Sequence, residues 1–268
     1  MNTLALKLIL TPTLIAAASL AGRRWGTAVS GWLVGLPLTS GPITLFLALS
    51  HGASFAAAAA TGVLAGAISQ AAFCLAYGWL ALRAGWPLTV AVACLAFAAA
   101  TFALHMLTLP PVPLFLVVVA ALALSLRLLP RAVAKAPRPA KSGLPSWDLP
   151  VRMVVATAFV VLLTEAAPIL GPHLTGLLAP FPLYAAILAI FAQQQQGPAA
   201  AIGVLRGLLL GLFAFAGFFL TLALLLGHTG IASAFVIAIL VTLTIQSGTL
   251  WALRRASRPL AVRVPPAA

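Results

Sequence analysis

The chain has 268 residues, 63% of them hydrophobic and only 6% charged. A soluble domain carries about 25% charged side chains, so this composition cannot coat a water-facing surface and excludes a soluble globular protein. The net charge of +13 does not mark a nucleic-acid binder. The basic residues lie between apolar runs and near the C-terminus, where cytoplasmic loops of membrane proteins carry Lys and Arg.

Taken in order, the apolar runs predict nine membrane spans, over 3–21, 28–50, 53–82, 87–108, 112–129, 149–167, 174–193, 198–226 and 231–252. Spanning a bilayer takes about 20 apolar residues. The first run is followed by AAASLAG, which resembles a signal-peptide end. Yet the leading MNT carries no basic side chain and Lys7 sits inside the run, so we read it as a retained helix. The third and eighth spans are long enough to tilt or protrude. Cys74 and Cys94 stand alone in apolar spans with no CxxC spacing, which points to small core residues and to neither a disulfide nor zinc. Residues 130–150 are polar, basic and proline-rich, and read as an exposed loop.

The chain repeats itself at an offset of 145. Gly31, Pro37, Phe46, Gly52, Gly62 and Gly66 fall on Gly176, Pro182, Phe191, Gly197, Gly207 and Gly211. Lys7 falls on Arg152, Gly26 on Gly171 and Gly85 on Gly230. Identities among Ala and Leu are weak evidence, but glycine and proline each constrain the backbone. The span at 112–129 has no counterpart. Four spans return the chain to its starting side and a fifth carries it across, so the second unit begins on the opposite face. The expected fold is an all-α polytopic membrane protein of about nine transmembrane helices, two inverted-topology four-helix repeats joined by a central helix in a 4+1+4 arrangement. Its parts are a first repeat over 1–110, a connecting transmembrane helix over 111–130, a basic proline-rich cytoplasmic linker over 131–149, a second repeat over 150–255 and a cytoplasmic tail over 256–268. This arrangement gathers every basic residue except Lys7 and Arg206 on one side. The positive-inside rule then puts the N-terminus in the periplasm and the C-terminus in the cytoplasm.

The second unit carries GLLAPFPLYAAILAIFAQQQQG, opened by Arg152 and followed by Arg206 and by Thr229–Gly230. In these features it resembles the GlpM family of small bacterial inner-membrane proteins of about four spans. The first unit keeps the Gly and Pro pattern as GWLVGLPLTSGPITL but has Thr61 where Arg206 falls. The resemblance implies a multi-pass protein of the bacterial inner membrane, here a tandem, fused version of a single-unit relative that would pair as an antiparallel dimer. It also implies a link to alginate-type exopolysaccharide production.

Candidate chemistry is concentrated in the second and seventh spans. Pro37 and Pro42, with Thr39, Ser40, Gly41 and Thr44, place helix breakers and hydroxyls in one; Pro180 and Pro182, with Tyr184, do so in the other. Interrupted membrane helices free backbone groups that can bind a solute; the competing reading is a pair of ordinary proline kinks. Gln193 opens a run of four glutamines that could line a mouth or cap an interface. Gln70 and Gln246 read as buried amides bonding helix to helix. Lys7, Arg152 and Arg206 are cations within spans, and such charges are candidate anion sites unless they snorkel. Carboxylates are nearly absent: Asp148 is in the linker and Glu165 is shallow. That argues against a cation carrier. The histidines lack ligand spacing. No nucleophile–base pair or phosphate-cradling loop occurs.

The reading is therefore of no enzyme, with no catalytic residues, metal or cofactor expected. The first functional expectation is a permease or channel for a small solute, anion or lipid, with its path at the interface of the repeats. The second is a non-transporting accessory protein of envelope polysaccharide biosynthesis. The expected partners are the lipid bilayer, a small solute or anionic lipid, and a second copy or an envelope-assembly component, but no nucleic acid.

Overall fold

The computed structural model describes residues 3–25, 36–131 and 148–256. Most of the linker, the tail from 257 and the start of the second expected span lie outside these residues. The described residues form α1 (Thr3–Trp25), α2 (Ser40–His51), α3 (Ala53–Leu80), α4 (Trp86–His105), α5 (Pro111–Leu128), α6 (Asp148–Leu178), α7 (Leu183–Gln196), α8 (Pro198–Leu225) and α9 (Ile231–Ala256). Alanine and leucine are strong helix formers, and Gly and Pro supply the punctuation. Pro87, Pro111 and Pro198 stand in the opening turns of their helices, where a missing N–H costs nothing.

Six of these helices are long and apolar enough to cross a membrane: α3, α4, α5, the Leu149–Leu178 part of α6, α8 and the Ile231–Gly248 part of α9. The chain is a multi-pass membrane protein. Two helices form its centre. In the most apolar stretch of α3 72% of residues are buried, and in α8 61%, against 22% in each of α4, α5 and α9. The outer helices are apolar all round and present Leu95, Phe102, Leu116, Leu162 and Leu240 outward, as lipid-facing helices do. α3 and α8 pack on each other, and α5 packs on both.

The second and seventh expected spans are not continuous helices. In the described part of the second, helix begins only at Ser40, with Thr39 as its N-cap. The seventh is in two pieces. The backbone leaves helical geometry at Gly171 (φ 73°, ψ 167°), a short helical segment runs to Leu178, and helix resumes at Leu183. Apolarity is unbroken across this stretch, so only its prolines betray the break. The helix α6 also begins at Asp148, which places that residue on a helix rather than in the linker.

Helix ends recur at the same offset as the glycines. α3 and α8 each have 28 residues and begin at 53 and 198; α2 and α7 end at 51 and 196; α4 and α9 begin at 86 and 231. The turns that join α2 to α3 and α7 to α8 are alike in geometry. Gly52 has φ 90° and ψ 168°, and Gly197 has φ 92° and ψ 179°. That backbone region belongs almost solely to glycine. The glycines of α3 serve a different purpose. A β-carbon on Gly62 would meet the His173 carbonyl oxygen, and one on Gly176 would meet that of Ala59. Small residues here let α3 and the 173–180 segment touch backbone to backbone, so the Gly62/Gly66 motif is a seam between the two halves of the chain.

Nothing stands within 4 Å of a β-carbon placed on Gly52, Gly197 or Gly203. Gly52→Ala and Gly197→Ala are therefore expected to destabilise through backbone strain alone, by about 1–3 kcal/mol each. Gly203→Ala, inside α8, is expected to be neutral or mildly stabilising. Thermal unfolding of the detergent-solubilised variants, followed by circular dichroism, checks the contrast.

Candidate functional site at two interrupted helices

Each interruption is built on one proline. Leu38 N–H donates to the Leu36 carbonyl at 2.7 Å, and Leu183 N–H to that of Phe181 at 2.8 Å. These three-residue turns enclose Pro37 and Pro182. Pro182 has φ −82° and ψ 50°, close to an inverse γ-turn. The next bonds also match: Gly41 N–H reaches the Pro37 carbonyl at 2.9 Å and Ala186 N–H that of Pro182 at 2.7 Å. Two stretches with different side chains thus make the same backbone excursion, 145 residues apart.

The two interruptions meet. Ser40 Oγ donates to the Ala179 carbonyl oxygen at 2.9 Å, a bond between buried groups 139 positions apart. Ser40 begins α2, and Ala179 lies where α6 has just ended. Next to this bond is a small cavity of about 30 Å³. Eight of its lining residues fall into four pairs at the same offset: Leu36 with Phe181, Thr39 with Tyr184, Ser40 with Ala185, and Gln70 with Phe215. α2 and α7 both begin at this cavity, and neither helix has a side-chain cap at its first turn. Each N-terminus carries roughly half a positive charge from its aligned peptide dipoles.

Most of the expected site residues gather here. Thr39, Ser40, Pro180, Pro182 and Tyr184 line the cavity. Gly41 and Thr44 lie in the following turns of α2, where the Thr44 hydroxyl donates to the Ser40 carbonyl at 2.9 Å. Pro37, Gly41 and Pro42 line an adjoining apolar groove of about 290 Å³ among α1, α2, α8 and α9. Arg152 is buried and stands over the Tyr184 ring, its guanidinium carbon 5.2 Å from the centroid. One cation therefore lies a single ring away from the cavity.

Three expected site residues are engaged elsewhere. The Gln193 carboxamide accepts from the Tyr77 hydroxyl at 2.8 Å and donates to the Ala84 carbonyl at 3.1 Å, which ties α7 to α3 and to the turn after it. Arg206 donates to the carbonyls of Leu129 and Pro130 at 3.3 and 3.4 Å. It thereby closes the C-terminal end of α5, where the helix dipole favours a cation. Lys7 is buried, and its ammonium meets the exposed Glu165 carboxylate at 2.9 Å, which joins α1 to α6.

Gln70 is the residue that sequence reasoning misplaced. It does not bond helix to helix: its Oε1 is buried without a hydrogen-bond partner and it lines the cavity. The signal was its spacing. Gly62, Gly66 and Gln70 follow at four-residue steps along one face of α3, and Gly62 and Gly66 touch the second interruption. His105 and His173 stack with ring centroids 5.6 Å apart, but among the described residues no three metal-ligating side chains come together. No protein-family model, curated protein or solved structure matches this chain.

Ser40→Ala leaves a carbonyl at the second interruption without its donor. It is expected to cost about 1–3 kcal/mol. Ser50→Ala, at an exposed position near the end of the same helix, is expected to change nothing. Melting temperatures of the two purified variants decide between them.

Proposed function

We propose that this chain is a permease or channel for a small solute, with its path between two inverted four-helix repeats of a bacterial inner-membrane protein. The observation that carries the reading is the meeting of two matched helix interruptions at one cavity, where Thr39, Ser40, Gln70 and Tyr184 stand among apolar side chains. In hydrocarbon an unsatisfied backbone group costs several kcal/mol, and irregular backbone is retained where it is buried in protein or lines a route for solute. α2 and α7 have 12 and 14 residues, or roughly 18 and 21 Å of helix. With the Gly52 and Gly197 turns at the membrane surfaces, both interruptions fall inside a hydrocarbon core about 30 Å thick.

The matching helix ends and the shared packing of α5 on α3 and α8 support a duplicated unit with α5 as the inverter. In this arrangement the N-terminus is periplasmic, the C-terminus is cytoplasmic, and Arg206 is a strut outside the path. A second reading draws on the small size of the cavity and on the internal engagement of Gln193, Lys7 and Arg206. In it the chain is a closed accessory protein of alginate-type polysaccharide assembly, as its resemblance to the GlpM family suggests.

Two measurements separate these readings. Purified protein in sealed liposomes is expected to pass at least one of a panel of small anions and neutral solutes. Arg206→Gln is expected to keep that flux while losing about 1 kcal/mol of stability. Folded protein that passes none, and that co-purifies with a polysaccharide synthase, establishes the accessory role instead. Accessibility tags at the two termini are expected to report opposite compartments; both in one compartment rules out the inverted arrangement.

A further inference from the structure

We infer that the cavity between the two interruptions is a binding site for a monoatomic anion of the halide class, held by the N-termini of α2 and α7 and by the carboxamide of Gln70. Three observations converge on this occupant.

The first is polarity. Both helices direct their N-terminal ends to the cavity, and neither has a side-chain cap there. Two positive dipole ends at one point repel a cation and attract an anion. Arg152, one ring away over Tyr184, adds to the same field. No carboxylate lines the cavity to oppose it.

The second is an unused polar side chain. Gln70 is 6% exposed and its Oε1 has no hydrogen-bond partner. Burying an amide group unpaired costs about 1–3 kcal/mol, and an anion relieves such a cost when the NH₂ end of the carboxamide faces it. A half-turn about the last torsion exchanges the two ends of a carboxamide, and oxygen and nitrogen are nearly indistinguishable in shape. Gln70 can therefore turn its NH₂ to the cavity and donate to an anion. At the equivalent position of the other half stands Phe215, so the polar grip comes from one side only.

The third is size. The cavity holds about 30 Å³, roughly the room of one water molecule. So small a space favours a single-atom anion over phosphate, sulfate or a sugar, and the negative charge matches the donors.

The inference rests on the same paired interruptions as the conduit reading, but binding and conduction are separable. The test is isothermal titration of the detergent-solubilised full-length protein with sodium fluoride, chloride and bromide at constant ionic strength, with sodium sulfate as the oversized control. Saturable binding of at least one halide and none of sulfate is expected. Gln70→Leu, apolar and similar in size, is expected to weaken that binding by about tenfold or more. If that variant does not fold, Gln70→Asn, which withdraws the carboxamide by one methylene, is expected to weaken it likewise. No saturable halide binding by folded wild-type protein overturns the site, and so does unchanged affinity in the Gln70 variant. Halide binding without flux in liposomes upholds the site and removes the conduit. Flux of a neutral solute without halide binding does the reverse.

Discussion

A backbone group released from its helix inside a bilayer must find a partner within the protein, because lipid offers none. In this molecule the demand arises at Pro37 and Pro182. Each proline stands just before the start of a helix, and each start is closed locally by a turn bonded 36–38 or 181–183. One carbonyl of the second interruption, that of Ala179, is met across the molecule by Ser40 Oγ. The two interruptions thus stabilise each other. A single unit of this kind, alone in a membrane, would lack that partner.

The rest of the packing serves this meeting. Gly62 and Gly176 bring α3 against the 173–177 segment with no side chain between the backbones, and Gly66 leaves room for the Pro180 ring. Any larger residue there would push the two halves apart and open the bond between Ser40 and Ala179. α5 braces both central helices, and Arg206 holds its C-terminal end. The scarce charges are used as struts: Lys7 with Glu165 joins α1 to α6, and Arg152 rests on Tyr184. In so apolar a chain a buried charge without a partner would be costly, and Lys7, Arg152 and Arg206 are each held by a named neighbour.

Much of this was legible in the residues, for one physical reason. Glycine and proline limit the backbone whatever surrounds them, so Gly52, Gly197, Pro37 and Pro182 marked the turns and interruptions before any fold was known. The lengths and starts of α3, α4, α8 and α9 followed within a few residues. Side-chain partners were not legible, since they depend on which helices come together. Gln193 read as lining a mouth or capping an interface, and it ties α7 to Tyr77 and Ala84. Arg206 read as an anion ligand or a snorkelling cation, and its guanidinium donates to the carbonyls that end α5. The split of the seventh span is marked by its prolines alone, because Leu and Ala continue through it and apolarity does not distinguish one helix from two.

The central claim is that the two interruptions are in contact within one chain, and cross-linking tests it most directly. Ser40→Cys and Ala179→Cys, in a background without Cys74 and Cys94, put thiols on two residues joined by the 2.9 Å bond from Ser40 Oγ to the Ala179 carbonyl. Mild oxidation in native membranes is expected to join them within the monomer, and to leave unjoined a control pair of Ser40→Cys with Thr229→Cys. Absence of the 40–179 cross-link, in protein shown to be folded and inserted, would contradict the account.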